Sequence, residues 1–285
     1  MVQIFATPGS GNGRALALAR RLRLALEERG WRTRLDAIAD LRHLAHWRPP
    51  AGDRISHVVS VGGDGTMSAA AQVAIRLQVP FVPVPSGFGN LFARAFGHRG
   101  RVKAVAALLE DGKVIRADAA AANGEIFLCH SSYGMLAQIQ AAVEAVGAQP
   151  RSRWRRLLAY VWTARRFLAN PSLGAIQVAV DGRVVSRRAA LVTVANVEAY
   201  GGFLSLTPAA SATDGLLDVF VLPRSTPLAL WGRLLRRLLR LPTAAADALL
   251  VRGRRVSVVD GAVRDEIEVL PRALRLLVPV PSRAA

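Results

Sequence analysis

The chain of 285 residues is 52% hydrophobic and carries a formal charge of +18, with 38 Lys and Arg against 20 Asp and Glu. This length can bury one large core or two ordinary ones, and the single cysteine, Cys129, excludes an intramolecular disulfide. Arginine interrupts the apolar stretches before they reach the roughly 20 residues of a spanning helix, and the first residues contain no secretion signal. We therefore expect a cytoplasmic protein with a polyanionic partner, either anionic lipid or nucleic acid.

The first part of the chain predicts short buried strands that alternate with helices. Residues 2–6 form the first strand, and a helix is expected from about Arg14 to Arg29. Two further apolar runs, Val58–Val61 and Phe81–Val84, each lead into a glycine-rich turn, and Ala69–Leu77 is expected to be helical. This alternation predicts a parallel sheet covered by helices, in which ligands bind at the carboxyl ends of the strands.

Beyond about Ala117 the sequence is typical of antiparallel strands. The runs Ile176–Val180, Arg183–Ser186 and Leu191–Val194 alternate in polarity, and Asp181-Gly182 between the first two is a hairpin signal. We predict two domains, residues 1–117 and residues 118–285, and leave open that the last residues pack back on the first domain.

Two segments of the second domain predict basic amphipathic helices. In residues 151–168 and 227–241, tryptophan and leucine form one stripe, and arginine lies largely outside it. Such helices suit a membrane interface, and they suit equally well a core-facing helix with solvated arginines. A high-GC genome would also produce an arginine-rich surface.

The turn after Val61 has the composition of a phosphate-binding loop. Gly62-Gly63-Asp64-Gly65-Thr66 stands between a strand and a helix, and glycine lets main-chain N–H groups approach a phosphate closely. Asp64 could organise the loop or reach magnesium through water, and Thr66 could bind a phosphate oxygen. A tight turn without a ligand is the alternative, and the absence of a Gly-Lys-Ser/Thr ending excludes a P-loop enzyme.

Together the motifs resemble those of the diacylglycerol kinase catalytic superfamily, which includes bacterial lipid kinases, sphingosine kinases and, more remotely, NAD kinases. The matching segments are Thr7–Gly11, Val61–Ser68, Pro85–Asn90, Asn196, Tyr200-Gly201-Gly202, Pro208-Ala209, Asp214–Val219 and Asp260-Gly261. The Tyr-Gly-Gly, Pro-Ala and Asp-Gly-Leu-Leu-Asp elements resemble the lipid kinases specifically. This order of motifs spans almost the whole chain.

The resemblance implies an N-terminal α/β nucleotide-binding domain with a parallel sheet, a β-sandwich-like second domain, and a catalytic cleft between them. It implies an ATP- and Mg²⁺-dependent lipid kinase that transfers the γ-phosphate to a lipid hydroxyl. Diacylglycerol, converted to phosphatidic acid, is the first expected acceptor, ahead of phosphatidylglycerol or a sphingoid lipid. We then expect a peripheral protein at the inner face of the membrane, in contact with anionic lipids, and bacterial relatives are compatible with a homodimer.

The resemblance also assigns roles to single residues. Asp260 matches the catalytic aspartate that accepts the proton of the lipid hydroxyl, and Asp214 matches a ligand of a structural magnesium, together with main-chain oxygens of Ser211 and Leu216. Without the resemblance, plain turns explain Asp260 and Asp214 as well. The residues assigned to the nucleotide are Thr7, Pro8, Gly9, Ser10, Gly11, Gly62, Gly63, Asp64, Gly65, Thr66, Met67, Ser68, Phe88 and Asn90.

The sequence departs from the family pattern at several of these positions. Thr7 stands where the family usually has Asn, and Phe88 stands where a Thr usually contacts the nucleotide. Ala70 or a neighbour replaces a Glu, and Ala262 replaces the Glu of Asp-Gly-Glu. Losses of supporting groups typically cost about 10- to 100-fold in activity. The first alternative is a weak or catalytically silent relative that binds nucleotide and anionic membrane. An NAD kinase or a nucleic-acid-binding protein is less favoured. No specific nucleic acid is expected, because the sequence contains no recognition motif for one.

Overall fold

The computed structural model describes residues 1–11, 13–87, 89–134, 136–138, 175–201, 204–223 and 248–280. Phe88, Gly202 and the predicted basic helices at 151–168 and 227–241 lie outside these residues. The chain divides into two compact units. The first consists of Met1–Cys129, Ala212–Gly215 and Leu270–Ala285, and the second of His130–Ser211 and Leu216–Val269. The first unit thus extends past the expected boundary at residue 117.

The first unit contains a parallel sheet. Its strands are β1 (Val2–Ala6), β2 (Thr33–Ala37), β3 (His57–Gly62) and β4 (Phe81–Pro85), in the order β2-β1-β3-β4. Leu276, in the last strand of the chain, pairs in parallel with Phe81 of β4. Every residue of β1 is buried, as expected for a central strand of a sheet that is covered on both faces. The predicted parallel sheet is confirmed.

Helices surround this sheet. They are α1 (Arg14–Glu27), α2 (His43–His46), α3 (Asp64–Leu77), α4 (Leu91–Ala95) and α5 (Val102–Asp111), and two further strands follow, β5 (Lys113–Ala122) and β6 (Glu125–Phe127). The buried residues of α1 form one stripe, Ala15, Ala19, Leu22 and Leu26. This stripe packs with α5 against apolar residues of β1, β3 and β4, such as Ile4 and Val82, because a helix buries the face on which its apolar residues recur.

The second unit is built from antiparallel strands. These are β7 (His130–Gly134), β8 (Ile176–Val180), β9 (Arg183–Ala195), β12 (Leu217–Pro223), β13 (Leu249–Gly253), β14 (Arg255–Asp260) and the first part of β15 (Val263–Val278). Their order is β13-β12-β9-β8-β14-β15, and β7 pairs with β9. A separate ribbon joins β10 (Tyr200–Gly201) to β11 (Leu204–Ser205). The prediction of antiparallel strands is confirmed.

The predicted hairpin between β8 and β9 is present. Asp181 and Gly182 have φ angles of +48° and +78°, the combination that a two-residue type I′ turn requires. Asp181 Oδ1 also accepts hydrogen bonds from Arg254 N and Arg255 N, both over 2.9 Å. The turn is therefore anchored to the start of β14. Among the helices in the described ranges, none is long and apolar enough to cross a bilayer.

Candidate functional site

Three of the predicted loops meet at the carboxyl ends of β1, β3 and β4. Thr7 N donates to Val61 O over 3.4 Å, and Ser86 N donates to Gly62 O over 3.1 Å. The hydroxyls of Thr7 and Thr66 share a hydrogen bond of 2.8 Å. The structure thus brings together three segments that are distant in sequence, Thr7–Gly11, Gly62–Ser68 and the described part of the third loop, residues 85–87 and 89–90.

Glycine is required where these loops approach each other. Gly11 has a φ angle of +61°, and a Cβ at this position would overlap the carbonyl oxygen of Ser86. A Cβ on Gly62 would lie 2.5 Å from Cβ of Thr66. A side chain on Gly11 would therefore push its loop away from Ser86, and one on Gly62 would displace Thr66 within the same loop. Main-chain atoms therefore form much of this surface, as a phosphate cradle requires.

Helix α3 begins in this group of loops. Its first turn contains Asp64, and Gly63 at the N-cap offers no side chain to bind the N–H groups of that turn. Met67 N donates to Gly63 O over 3.0 Å, which makes it the first N–H that the helix itself satisfies. The N–H groups before Met67 carry a partial positive charge and favour an anion.

Two buried polar atoms beside the loops lack a partner. Ser86 Oγ and Asn90 Oδ1 have no hydrogen-bond partner among the residues that the structure describes. Asn90 Nδ2 donates to Gly87 O over 2.5 Å, which fixes the orientation of the amide and leaves Oδ1 as an acceptor. Buried polar atoms are almost always satisfied in native proteins. These atoms, together with the glycine-lined loops, fit a polar ligand that carries phosphate.

The Asp64 carboxylate accepts a hydrogen bond on one side and lies close to a glycine on the other. Cys129 Sγ donates to Asp64 Oδ1 over 3.2 Å, and a Cβ on Gly89 would lie only 2.7 Å from Asp64 Oδ2. Burial and the nearby Asp64 charge raise the pKa of the Cys129 thiol, which therefore stays protonated and acts as a donor. Sequence patterns do not indicate this role for Cys129, because Cys129 lies on a different segment from the glycine loops.

The remaining predicted nucleotide residues occupy different environments. Ser10 N donates to Thr7 O over 3.0 Å, so Pro8 and Gly9 lie within a tight turn. Met67 is fully buried, and Ser68 Oγ accepts a hydrogen bond from Leu128 N over 3.2 Å. Gly65 lies in the first turn of α3. Direct contact of these residues with a nucleotide stays a prediction.

Asp118 is a further charged residue of the first unit, which the sequence analysis missed. It is fully buried on β5, where its two oxygens accept hydrogen bonds from Gly215 N and Arg272 N, both over 2.7 Å. Asp118 N donates to Ala212 O over 2.8 Å. A buried carboxylate needs such partners. Its position in the apolar run Ala117–Ala122 was an available signal, because a lone charge in a buried strand usually has a specific partner.

The contacts of Asp118 fix the segment that contains the proposed magnesium ligand Asp214. Ser211, Asp214 and Leu216 belong to one turn-rich stretch, in which Gly215 has a φ angle of +74°. One carboxylate with main-chain carbonyl oxygens is a donor set that suits a hard cation. The described residues contain no cluster of three or more His, Cys, Asp or Glu side chains that could hold a metal on their own.

In the second unit, Asp260 is the last residue of β14. It pairs with Val263, so Gly261 and Ala262 form a two-residue hairpin loop, and Gly261 has a φ angle of +63°. Asp260 Oδ2 accepts a hydrogen bond from Gly134 N over 3.1 Å. Asp260 can therefore be both a turn residue and a catalytic aspartate, because the hairpin turn places its carboxylate at the end of β14.

Both parts of the chain match known families. Residues 1–122 match the diacylglycerol kinase catalytic domain, and residues 132–278 match the YegS C-terminal NAD kinase beta sandwich-like domain. A diacylglycerol kinase of Mycobacterium tuberculosis is 28% identical over 232 residues, which cover 76% of this chain and 72% of that protein. The uncharacterized protein sll0036 of Synechocystis is 24% identical over 247 residues, or 80% of this chain. The match spans only 56% of the Synechocystis protein.

The fold also matches solved structures. A crystal structure described as a diacylglycerol kinase from Bacillus anthracis strain Sterne superposes with a TM-score of 0.72, at 19% sequence identity. The match covers 98% of this chain and 96% of that one. At this identity the likeness shows a shared fold.

Proposed function

This chain belongs to the diacylglycerol kinase catalytic superfamily, and from that membership we propose that it is a lipid kinase, which transfers the γ-phosphate of ATP to a lipid hydroxyl. The observation that carries the proposal is the pair of buried atoms Ser86 Oγ and Asn90 Oδ1, which have no partner among the described residues and lie beside glycine-lined loops. A nucleotide would supply the missing partners, since it offers donors and acceptors as well as phosphates.

In this proposal, the first unit binds and orients the nucleotide. Thr7–Gly11 and Gly62–Ser68 surround the phosphates, and the N–H groups of the first turn of α3 stabilise their charge. Asp214 and main-chain oxygens of Ser211 and Leu216 hold magnesium. Magnesium, when bound, supplies positive charge that the phosphates need during transfer.

Asp260 acts as the general base in this proposal. Gly134 N binds Oδ2 of its carboxylate, which orients the group and leaves Oδ1 to accept the proton of the lipid hydroxyl. Phosphoryl transfer depends mainly on positioning and charge stabilisation, so an aspartate fixed in this way is sufficient as the base.

We further propose diacylglycerol as the acceptor and the membrane surface as the place of the reaction. Relatives in Mycobacterium tuberculosis and Bacillus subtilis are named diacylglycerol kinases. The formal charge of +18 favours adsorption to a surface that contains anionic lipid. The chain would then act as a peripheral protein.

The test is transfer of labelled γ-phosphate from ATP, with magnesium, to a panel of lipids in mixed micelles. We expect the wild type to label diacylglycerol and Asp260→Asn to lose about 100-fold or more of that activity, because it removes the base. Asp111→Asn is the matched control, since Asp111 is exposed at the end of α5 and should behave like wild type. A folded wild type that labels no lipid would refute the proposal.

A catalytically silent relative that binds nucleotide and anionic membrane is the second candidate. It is favoured by the Asp260 hairpin, because its loop contains Ala262 where related kinases carry a glutamate. Tight nucleotide binding by the wild type without transfer to any lipid is the result that this candidate predicts.

A further inference from the structure

The hairpin of β14 and β15 carries two carboxylates on its core-facing side. Residues that pair directly in an antiparallel ladder point to the same side of a sheet. One side of this hairpin is formed by the pairs Val256 with Ile267, Val258 with Asp265, and Asp260 with Val263. Val256, Val258 and Ile267 are buried, which makes this the core-facing side. Asp260 and Asp265 are half-buried on this side, whereas Val263 beside Asp260 is exposed, so the two carboxylates lie at the edge of the core, where hydrogen bonds offset their partial loss of solvent.

Asp265 obtains a partner from strand β7. The Tyr133 hydroxyl donates to Asp265 Oδ2 over 2.7 Å and accepts from Ser131 Oγ over 3.2 Å. Burial raises the pKa of the Tyr133 hydroxyl, which therefore stays protonated and donates throughout the neutral range. A carboxylate acceptor makes this bond stronger than one between neutral groups. The bond fixes a buried ring at the end of β7.

Tyr133 immediately precedes the residue that binds Asp260. Gly134 N donates to Asp260 Oδ2 over 3.1 Å. Gly134 has a φ angle of +72°, and a Cβ there would lie 2.5 Å from both Ala190 O and Ile176 Cδ1. The N–H of Gly134 belongs to the planar peptide group that begins at Tyr133, so a movement of Tyr133 also moves the N–H that orients Asp260.

We propose that Asp265 is a positioning residue for Asp260. Asp265 acts on Asp260 through Tyr133 and the Gly134 N–H. The role of Asp260 as a base rests on the proposed function, whereas the contacts themselves do not. Ala262 stands where related kinases carry a glutamate, two residues after the aspartate that matches Asp260. Asp265 supplies a carboxylate on the same side of the hairpin as Asp260. Anchoring matters because a misplacement of about 1 Å can cost about 100-fold in rate.

Four variants separate this role from a general contribution to stability. Tyr133→Phe removes the hydroxyl and keeps the ring, and Asp265→Leu removes the acceptor. Asp265→Asn keeps an amide oxygen that accepts from Tyr133, so it is the conservative variant. Ser257→Ala is the matched control, because Ser257 Oγ donates to Glu266 over 2.7 Å on the opposite side of the same hairpin.

The deciding measurement is amide hydrogen exchange in the full chain. We expect exchange at Gly134 to become about tenfold faster in Tyr133→Phe and Asp265→Leu, while the Val194 amide of β9 keeps its wild-type rate. Asp265→Asn and Ser257→Ala should leave both amides unchanged. Equal acceleration at Gly134 and Val194 would mean that the bond only stabilises the unit, and no acceleration would mean no coupling; either result overturns the proposal.

Lipid phosphorylation supplies the second readout. Tyr133→Phe and Asp265→Leu should lower kcat about tenfold at an unchanged KM for ATP, and Asp265→Asn should recover wild-type kcat. Equal kcat in all variants overturns the positioning role. A wild type that phosphorylates no lipid refutes the proposed function instead, and the exchange at Gly134 then decides by itself whether Asp265 positions Asp260.

Discussion

Asp64 depends on a thiol donor for its orientation. Cys129 is buried and donates to Asp64 Oδ1 over 3.2 Å. Cys129→Ala removes this donor, and because a thiol is a weak donor, the loss costs about 0.5 to 1.5 kcal/mol. We therefore expect Cys129→Ala to lower the free energy of unfolding by this amount and to weaken ATP binding, measured by urea unfolding and calorimetry.

Cys129→Ser tests the same bond by keeping a donor at this position. A serine hydroxyl is also a donor, so this variant should bind ATP more tightly than Cys129→Ala. If the two variants bind ATP equally, the thiol does not orient Asp64.

At the level of residues, the glycine positions were predicted better than their contacts. Gly62 was assigned from its glycine-rich pattern and Gly11 from the family resemblance; a side chain on Gly11 would overlap the loop of Ser86, and one on Gly62 would overlap Thr66 of its own loop. Asp118 and Cys129 were missed as functional residues, because their contacts join distant parts of the chain. Cys129 and Asp64, for example, are 65 positions apart. A local pattern contains no information on such a pair.

Among the secondary-structure elements, β5 contacts the 212–215 segment through both the main chain and the buried side chain of Asp118. Asp118→Asn would keep one oxygen, but its amide nitrogen cannot accept from Gly215 N or Arg272 N. The N–H of Gly215 or of Arg272 would then face the side-chain NH2 group, which is also a donor. We expect a loss of about 2 to 3 kcal/mol in the free energy of unfolding, measured with urea.

Asp111→Asn again provides the control for the same chemical change. It lies on an exposed helix end and should change the free energy of unfolding by less than about 0.5 kcal/mol. If Asp118→Asn is as stable as this control, the carboxylate does not hold the segment.

Elements with strong local signals matched their predicted bounds closely. The helix expected from Arg14 to Arg29 is observed at Arg14–Glu27. Helix α3, expected from Ala69, already begins at Asp64, because an acidic residue is favourable in the first turn of a helix even where glycine suggests a loop. The runs Arg183–Ser186 and Leu191–Val194 belong to one strand, β9, whose pairing with β8 is irregular. Arg187 and Arg188 interrupt the apolar pattern, so the sequence predicted two strands instead of one.

On the scale of the whole molecule, the last strand completes the first unit. Leu274, Leu276 and Leu277 are buried there, and burial of such a side chain contributes about 1.5 to 3 kcal/mol. Their sum is comparable to the total stability of a typical domain, about 5 to 15 kcal/mol. A chain that ends at residue 269 should therefore lose the protease resistance of its first unit.

A chain that ends at residue 280 is the control, because it keeps β15 entire and should resist protease like the full chain. Limited proteolysis followed by mass spectrometry measures both. Equal resistance of the two truncated chains would show that the first unit folds without the last strand.

Translation gives the position of β15 a further consequence. Met1–Cys129 leaves the ribosome first, but residues 270–278 of the same unit leave it only after the entire second unit. Until then β4 has no partner on one side, and an unpaired strand edge can pair with another nascent chain. Synthesis of the first unit thus begins before that of the second unit and is completed only after it.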